Sequence, residues 1–135
     1  MPAEGLISIA SAGTYTATVD RLDAALRERG VAPMLRVDHA AAAASVGLQL
    51  RPVLLVIFGD PRVGTPLMQE ELTAGIDLPL KLLIWEGRQG EVYVGYNDPA
   101  WIRARHGLGL APESAGGIAA TIRNLALSAA GAMDP

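Results

Sequence analysis

Residues 79 to 96, PLKLLIWEGRQGEVYVGY, constrain the fold more than any other stretch. Two segments rich in branched and aromatic residues flank Gly87-Arg88-Gln89-Gly90, which is the pattern of a β-hairpin. Leu80, Leu82 and Ile84 fall on one face of its first strand, and Lys81, Leu83 and Trp85 on the other. A lone hairpin is marginal in water, so the rest of the chain must extend the sheet and cover it. LISIASA (6–12), APMLRVD (32–38) and PVLLVIF (52–58) supply the further strands, about five in all. PVLLVIF is apolar without a break, which predicts a central strand covered on both faces or lying at an interface.

Helical periodicity fills the intervals. Tyr15, Val19, Leu22 and Leu26 recur on one helical face, with Thr14 or Thr16 as N-cap, Gly30 after the last turn and Asp23–Arg27 as an outer pair. Asp38 begins a second helix through the alanines 40–44 to Gly47; it has high propensity but little apolar area. Thr65-Pro66 reads as N-cap and first position of a short helix, PLMQEELT, ending before Gly75. Asn97-Asp98-Pro99 ends the sheet and starts another helix, PAWIRARHG. LGLAPESAGG reads as a linker, followed by a final helix with Ile118, Ile122, Leu125 and Ala129 on one side. The expected product is one domain over residues 1–135 that mixes helices and strands in the order β-α-β-(α)-β-(α)-β-β-(α)-α.

Composition narrows the function. A net charge of −3 argues against a nucleic-acid binder, which needs a basic face. Lys81 is the only lysine; the arginine excess is better explained by coding composition than by phosphate recognition. With no cysteine, thiolate metal sites and disulfides are excluded. The N-terminal stretch lacks a basic region and a long apolar core, so no signal peptide is expected, and VLLVIF is too short to span a bilayer. The expectation is a cytoplasmic protein without nucleic-acid or membrane partners.

Five ordered motifs carry a resemblance: VDHA (37–40), FGDP (58–61), GTPLM (64–68), GIDLPLK (75–81) and YNDP (96–99), with TVDRL (18–22) and RHG (105–107) beside them. Together they resemble the DUF302 family, a group without an assigned function. The resemblance implies an α+β fold, an antiparallel sheet of about five strands with helices on one face in the β-α-β(4)-α arrangement called TBP-like, with short inserted helices, and a homodimer. The family's usual corner is FGNP, so Asp60 here replaces an amide by a charge.

The polar positions admit several chemistries. In FGDPRVGTPLM, the amides before Thr65 with Arg62 would suit an anion, but the stretch has neither the P-loop nor the G-x-G-x-x-G spacing and Pro66 removes a donor. A structural corner, with Asp60 bonding turn amides and Thr65 as cap, is the favoured reading. His39 and His106 are the only histidines, and nothing in their spacing supports a metal or haem site with Asp38, Asp77 or Asp98. Lys81, in an apolar strand, is a candidate general base if it faces a pocket and a neutralised charge if it pairs with Asp77 or Asp38. Tyr96 joins the GIDLPLK segment at one end of the sheet.

The leading expectation is therefore a non-enzymatic homodimeric module for a small ligand or partner, with Asp38, His39, Asp60, Arg62, Thr65, Asp77, Lys81 and Tyr96 as candidate ligand-binding residues and no metal or cofactor. The alternatives are an enzyme using Asp38/His39 and Lys81 for acid–base chemistry, and a metal or haem carrier through His39 or His106.

Overall fold

The computed structural model describes residues 3–109 and 113–132. Five strands form one antiparallel sheet: β1 (Leu6–Ala10), β2 (Leu35–Asp38), β3 (Val53–Phe58), β4 (Leu80–Glu86) and β5 (Val92–Asn97), in spatial order β1-β5-β4-β3-β2. The hairpin joins β4 to β5, and Gly90 turns it at φ 84°, a conformation most side chains disfavour. Helices α1 (Tyr15–Glu28) and α5 (Glu113–Ala130) pack on one face; α2 (His39–Ser45), α3 (Pro61–Glu70), a 3₁₀ turn (Leu72–Asp77) and α4 (Pro99–Arg105) are inserted between strands. Without those insertions the order is β-α-β(4)-α. No helix among the described residues is long and apolar enough to cross a membrane.

Strand alternation explains where the core lies. Leu54, Val56 and Phe58 of β3, Leu80, Leu82 and Ile84 of β4, and Val92, Val94 and Tyr96 of β5 point to the helices and are buried. They meet Leu22 and Leu26 of α1 and Ile122, Leu125 and Ala129 of α5. Thr14 caps α1 by accepting from the amide of Ala17, and Asp38 caps α2 through Ala41.

Four expectations are narrowed or revised. PVLLVIF lies inside the sheet, but only its alternate residues are buried; Val53, Leu55 and Ile57 face away from the helices and are half-buried. Leu35, Leu83, Trp85 and Tyr93 share that open face, where the Trp85 and Tyr93 rings stack 5.5 Å apart. Asp23 pairs with Arg36 on β2 rather than with Arg27, because the strand brings a guanidinium across from a neighbouring element. Helix α5 begins at Glu113, inside the expected linker, whose residues 110–112 lie outside those described.

The fourth concerns the corner. Helix α3 starts at Pro61, not Pro66, with Asp60 as N-cap. Asp60 accepts from the Arg62 amide at 2.8 Å, and Pro61 occupies the position where a missing donor costs nothing. Thr65 and Pro66 therefore lie within the helix, and Thr65 does not cap it. Pro66 sits in the second turn, where it deprives the Arg62 carbonyl of its i+4 donor.

Candidate functional site

The antiparallel order gathers the ends of β3 and β5 and the starts of β1, β2 and β4 at one end of the sheet. FGDP, GTPLM and GIDLPLK all lie there. Together with Met34 they line an apolar cavity of about 330 Å³, walled by Gly59, Pro61, Val63, Gly64, Met68, Gly75, Leu78, Pro79 and Leu80, with Asp60 and Thr65 as its polar members.

Two wall positions are glycines, and only at Gly75 is the space tight. A Cβ on Gly64, in mid-helix, would stand 3.5 Å from Leu78 Cδ1, and one on Gly75 would stand 3.2 Å from Met68 Sδ. Glycine within a helix costs about 1 kcal/mol relative to alanine. Helix α3 thus carries two unfavourable residues, Gly64 and Pro66, on the element that walls the cavity. A second cavity, of about 570 Å³, shares Gly59, Asp60, Pro61, Val63 and Leu80 and extends towards α5, so the FGDP corner borders both.

Beside this end, a polar cluster ties the 3₁₀ turn to α4. The Asp77 carboxylate is buried and accepts from Arg105 Nη1 at 2.8 and 2.9 Å and from His106 Nε2 at 2.6 Å. The other imidazole nitrogen, Nδ1, lies 2.9 Å from the hydroxyl of Thr73. Burial pushes the Asp77 carboxyl upward, but hydrogen bonds from His106 and Arg105 outweigh it and hold the group below its ordinary value. Lys81 Nζ, on the open face of β4, reaches the Asp77 backbone carbonyl at 3.4 Å. Burial lowers the Lys81 pKa, while the Asp77 charge pulls it back up.

The candidate residues divide accordingly. Asp77, Lys81 and His106 come together, and His106, expected at the surface or as a cap, is a buried partner of Asp77. Asp60, Arg62 and Thr65 stay together at the corner, but Arg62 forks onto the Asp60 carboxylate, so that cation is already matched. Those bonds lower the Asp60 pKa and raise that of Arg62.

Asp38 and His39 do not join Lys81. Asp38 is level with Leu54 on the helix side, whereas Lys81 is level with Ile57, three residues along β3 and on the open side. Nor does His39 approach His106, which sits at the opposite end of the sheet. Tyr96 is buried on the core face; burial, opposed by Arg123 and reinforced by Asp98, raises its pKa. Among the described residues, no three of His, Asp and Glu cluster as a metal would require. Sequence reading missed Thr73, which no local motif marks, and quoted Arg105 within RHG without giving it a role.

A family model described as "Domain of unknown function DUF302" matches residues 7–127. In the crystal structure of an uncharacterized conserved DUF302 protein from Bacillus stearothermophilus the same fold recurs, with TM-score 0.72 over 96% of this chain and 98% of that one at 18% identity. Two proteins named Fluoride-specific ion channel FluC 1, from Brucella suis and Brucella abortus, are 43% identical over 111 residues, or 82% of this chain. The chain spans only 44% and 41% of their lengths. On the family match, which takes in the sheet, the cavity-lining motifs and the Asp77 cluster, the chain belongs to the DUF302 family.

Proposed function

We propose that the protein is a homodimeric module that binds a small apolar ligand in the cavity at the FGDP end of the sheet. The observation that carries this reading is the convergence of three separated motifs on one apolar pocket of about 330 Å³, a size that suits a small organic molecule. The residues unfavourable to α3 add support: Gly64 leaves open the space that alanine or leucine would fill. The test uses the neutral fluorophore N-phenyl-1-naphthylamine. Its emission should rise on binding at one site per chain, and Gly64→Leu, which suits a helix but fills the cavity, should abolish the rise while leaving the circular dichroism unchanged. Equal binding by the folded variant would reject the pocket.

We rest the homodimer on the sheet face turned away from α1 and α5, where Leu35, Leu55, Ile57, Leu83, Trp85 and Tyr93 form a partly exposed apolar surface. Beside it, the segment after α2 exposes Val46, Leu48 and Leu50. A second copy presenting the same face would bury both surfaces symmetrically. Sedimentation velocity at micromolar concentration should give a dimer, and Leu83→Asp a folded monomer. A monomeric wild type would refute this part.

The Brucella relatives favour a second reading, in which a domain of this kind is the accessory part of a fluoride-handling protein. Broadening of the fluoride ¹⁹F resonance by the isolated chain would support it, and an unchanged line would count against it.

A further inference from the structure

We infer that Thr73 is a nucleophile activated by His106, with Asp77 as the residue that positions the imidazole. The three side chains form a hydroxyl–imidazole–carboxylate chain: Thr73 Oγ1 to His106 Nδ1 at 2.9 Å, and His106 Nε2 to Asp77 Oδ2 at 2.6 Å. Ionised Asp77 can only accept, so Nε2 carries a hydrogen. In the neutral ring Nδ1 is then an acceptor, and the single hydrogen of the Thr73 hydroxyl has two acceptors in reach, His106 Nδ1 at 2.9 Å and Glu71 Oε1 at 3.2 Å. The orientation leaves that hydroxyl poised to lose its proton to the imidazole, which is what a serine or threonine nucleophile requires. Glu71, 3.2 Å from the same hydroxyl, also accepts from the Thr73 amide and so holds the turn that presents it.

Burial is graded along the chain as such chemistry needs. The side chains of His106 and Asp77 are 6% and 10% exposed, whereas Thr73 lies at the surface. Arg105 Nη1 donates to both oxygens of Asp77, including the Oδ2 that meets His106, and so favours the ionised carboxylate. Residues three apart eclipse in a 3₁₀ helix, which places Ile76 beside Thr73. Ile76 is 72% exposed and Leu72 82%, giving the hydroxyl an apolar margin. The substrate class that fits is a small ester with an apolar acyl chain.

The reaction balances without a cofactor. Thr73 Oγ1 bonds to the ester carbonyl carbon as the bond to the leaving alcohol breaks. The hydroxyl proton passes to His106 Nδ1 and on to the departing alkoxide. Water, deprotonated by the same nitrogen, then cleaves the threonyl ester, releasing the acid and restoring the hydroxyl.

The proposal stands apart from the cavity, since Gly64→Leu should leave it intact. The experiment is incubation with p-nitrophenyl acetate, following p-nitrophenolate release and locating the acetyl group by peptide mass spectrometry. The expected result is a burst with acetyl on Thr73. Thr73→Ala should lose the burst, Thr73→Ser should keep it, and His106→Gln should slow it about 100-fold, the contribution of a general base. Thr73 is exposed, so its variants should fold as wild type does, which melting curves would verify. Acetyl on Lys81 or another amine instead of Thr73, or a burst undiminished in folded Thr73→Ala, overturns the proposal.

Discussion

Gly64→Ala should stabilise this protein, which is unusual for a change in a packed region. Gly64 lies within α3 with ordinary helical geometry, so replacing it removes only the conformational freedom that glycine has in the unfolded chain. That contributes about 0.5–1 kcal/mol. The new methyl would touch Leu78 Cδ1 at 3.5 Å and Met68 Cε at 3.9 Å, both ordinary contacts, so no atom need move. Partial burial of one methyl adds up to about 0.5 kcal/mol. The sum, about 0.5–1.5 kcal/mol, corresponds to a rise in Tm of about 2–7 °C for a chain of this length. Urea denaturation followed by tryptophan fluorescence should show a higher midpoint with an unchanged slope. Gly75→Ala provides the contrast, because its Cβ would press on Met68 Sδ at 3.2 Å. If Gly64→Ala left the midpoint unchanged or lowered it, the description of the cavity wall would be wrong. If it stabilised the protein without weakening fluorophore binding, the glycine would have no connection with a ligand.

Two further outcomes follow from the site. Asp60→Ala should lower Tm by removing the cap of α3, whereas Thr65→Ala, an exposed position within the helix, should stay within about 0.5 kcal/mol of wild type. The Asp77 carboxyl titrates below its ordinary value when folded, so the stability it lends is complete above the unfolded value of about 3.9 and drains away as pH falls through the folded one. Urea midpoints of Asp77→Asn should therefore change less than those of wild type below about pH 4, and parallel profiles would count against the ionised cluster.

Much of the sheet was legible because its signals are local. Alternation in LKLLIW names the buried face outright, and Thr14, Asp38 and Asp98 each cap the helix they precede. The corner misled because Asp60-Pro61 and Thr65-Pro66 carry the same start signal five residues apart, and only tertiary placement decides between them. The run PVLLVIF does not distinguish a strand covered twice from one covered once and exposing its other face for a partner. The site was harder still. Asp77 and His106 are 29 residues apart and Thr73 and His106 are 33 apart, so their meeting depends on α4 docking against the 3₁₀ turn. Nothing in either segment announces the other.

Helix α2 buries none of its seven residues and is fixed chiefly by its Asp38 cap and its attachment to β2 and β3. A helix so short is barely stable without tertiary support. Its amides should therefore exchange with deuterated solvent through local opening, long before those of β3 and β4. The same amides become a reporter of association: a second copy resting on Val46, Leu48 and Leu50 would slow their exchange as protein concentration rises. In this protein the least protected helix is thus the most informative place to watch for a partner.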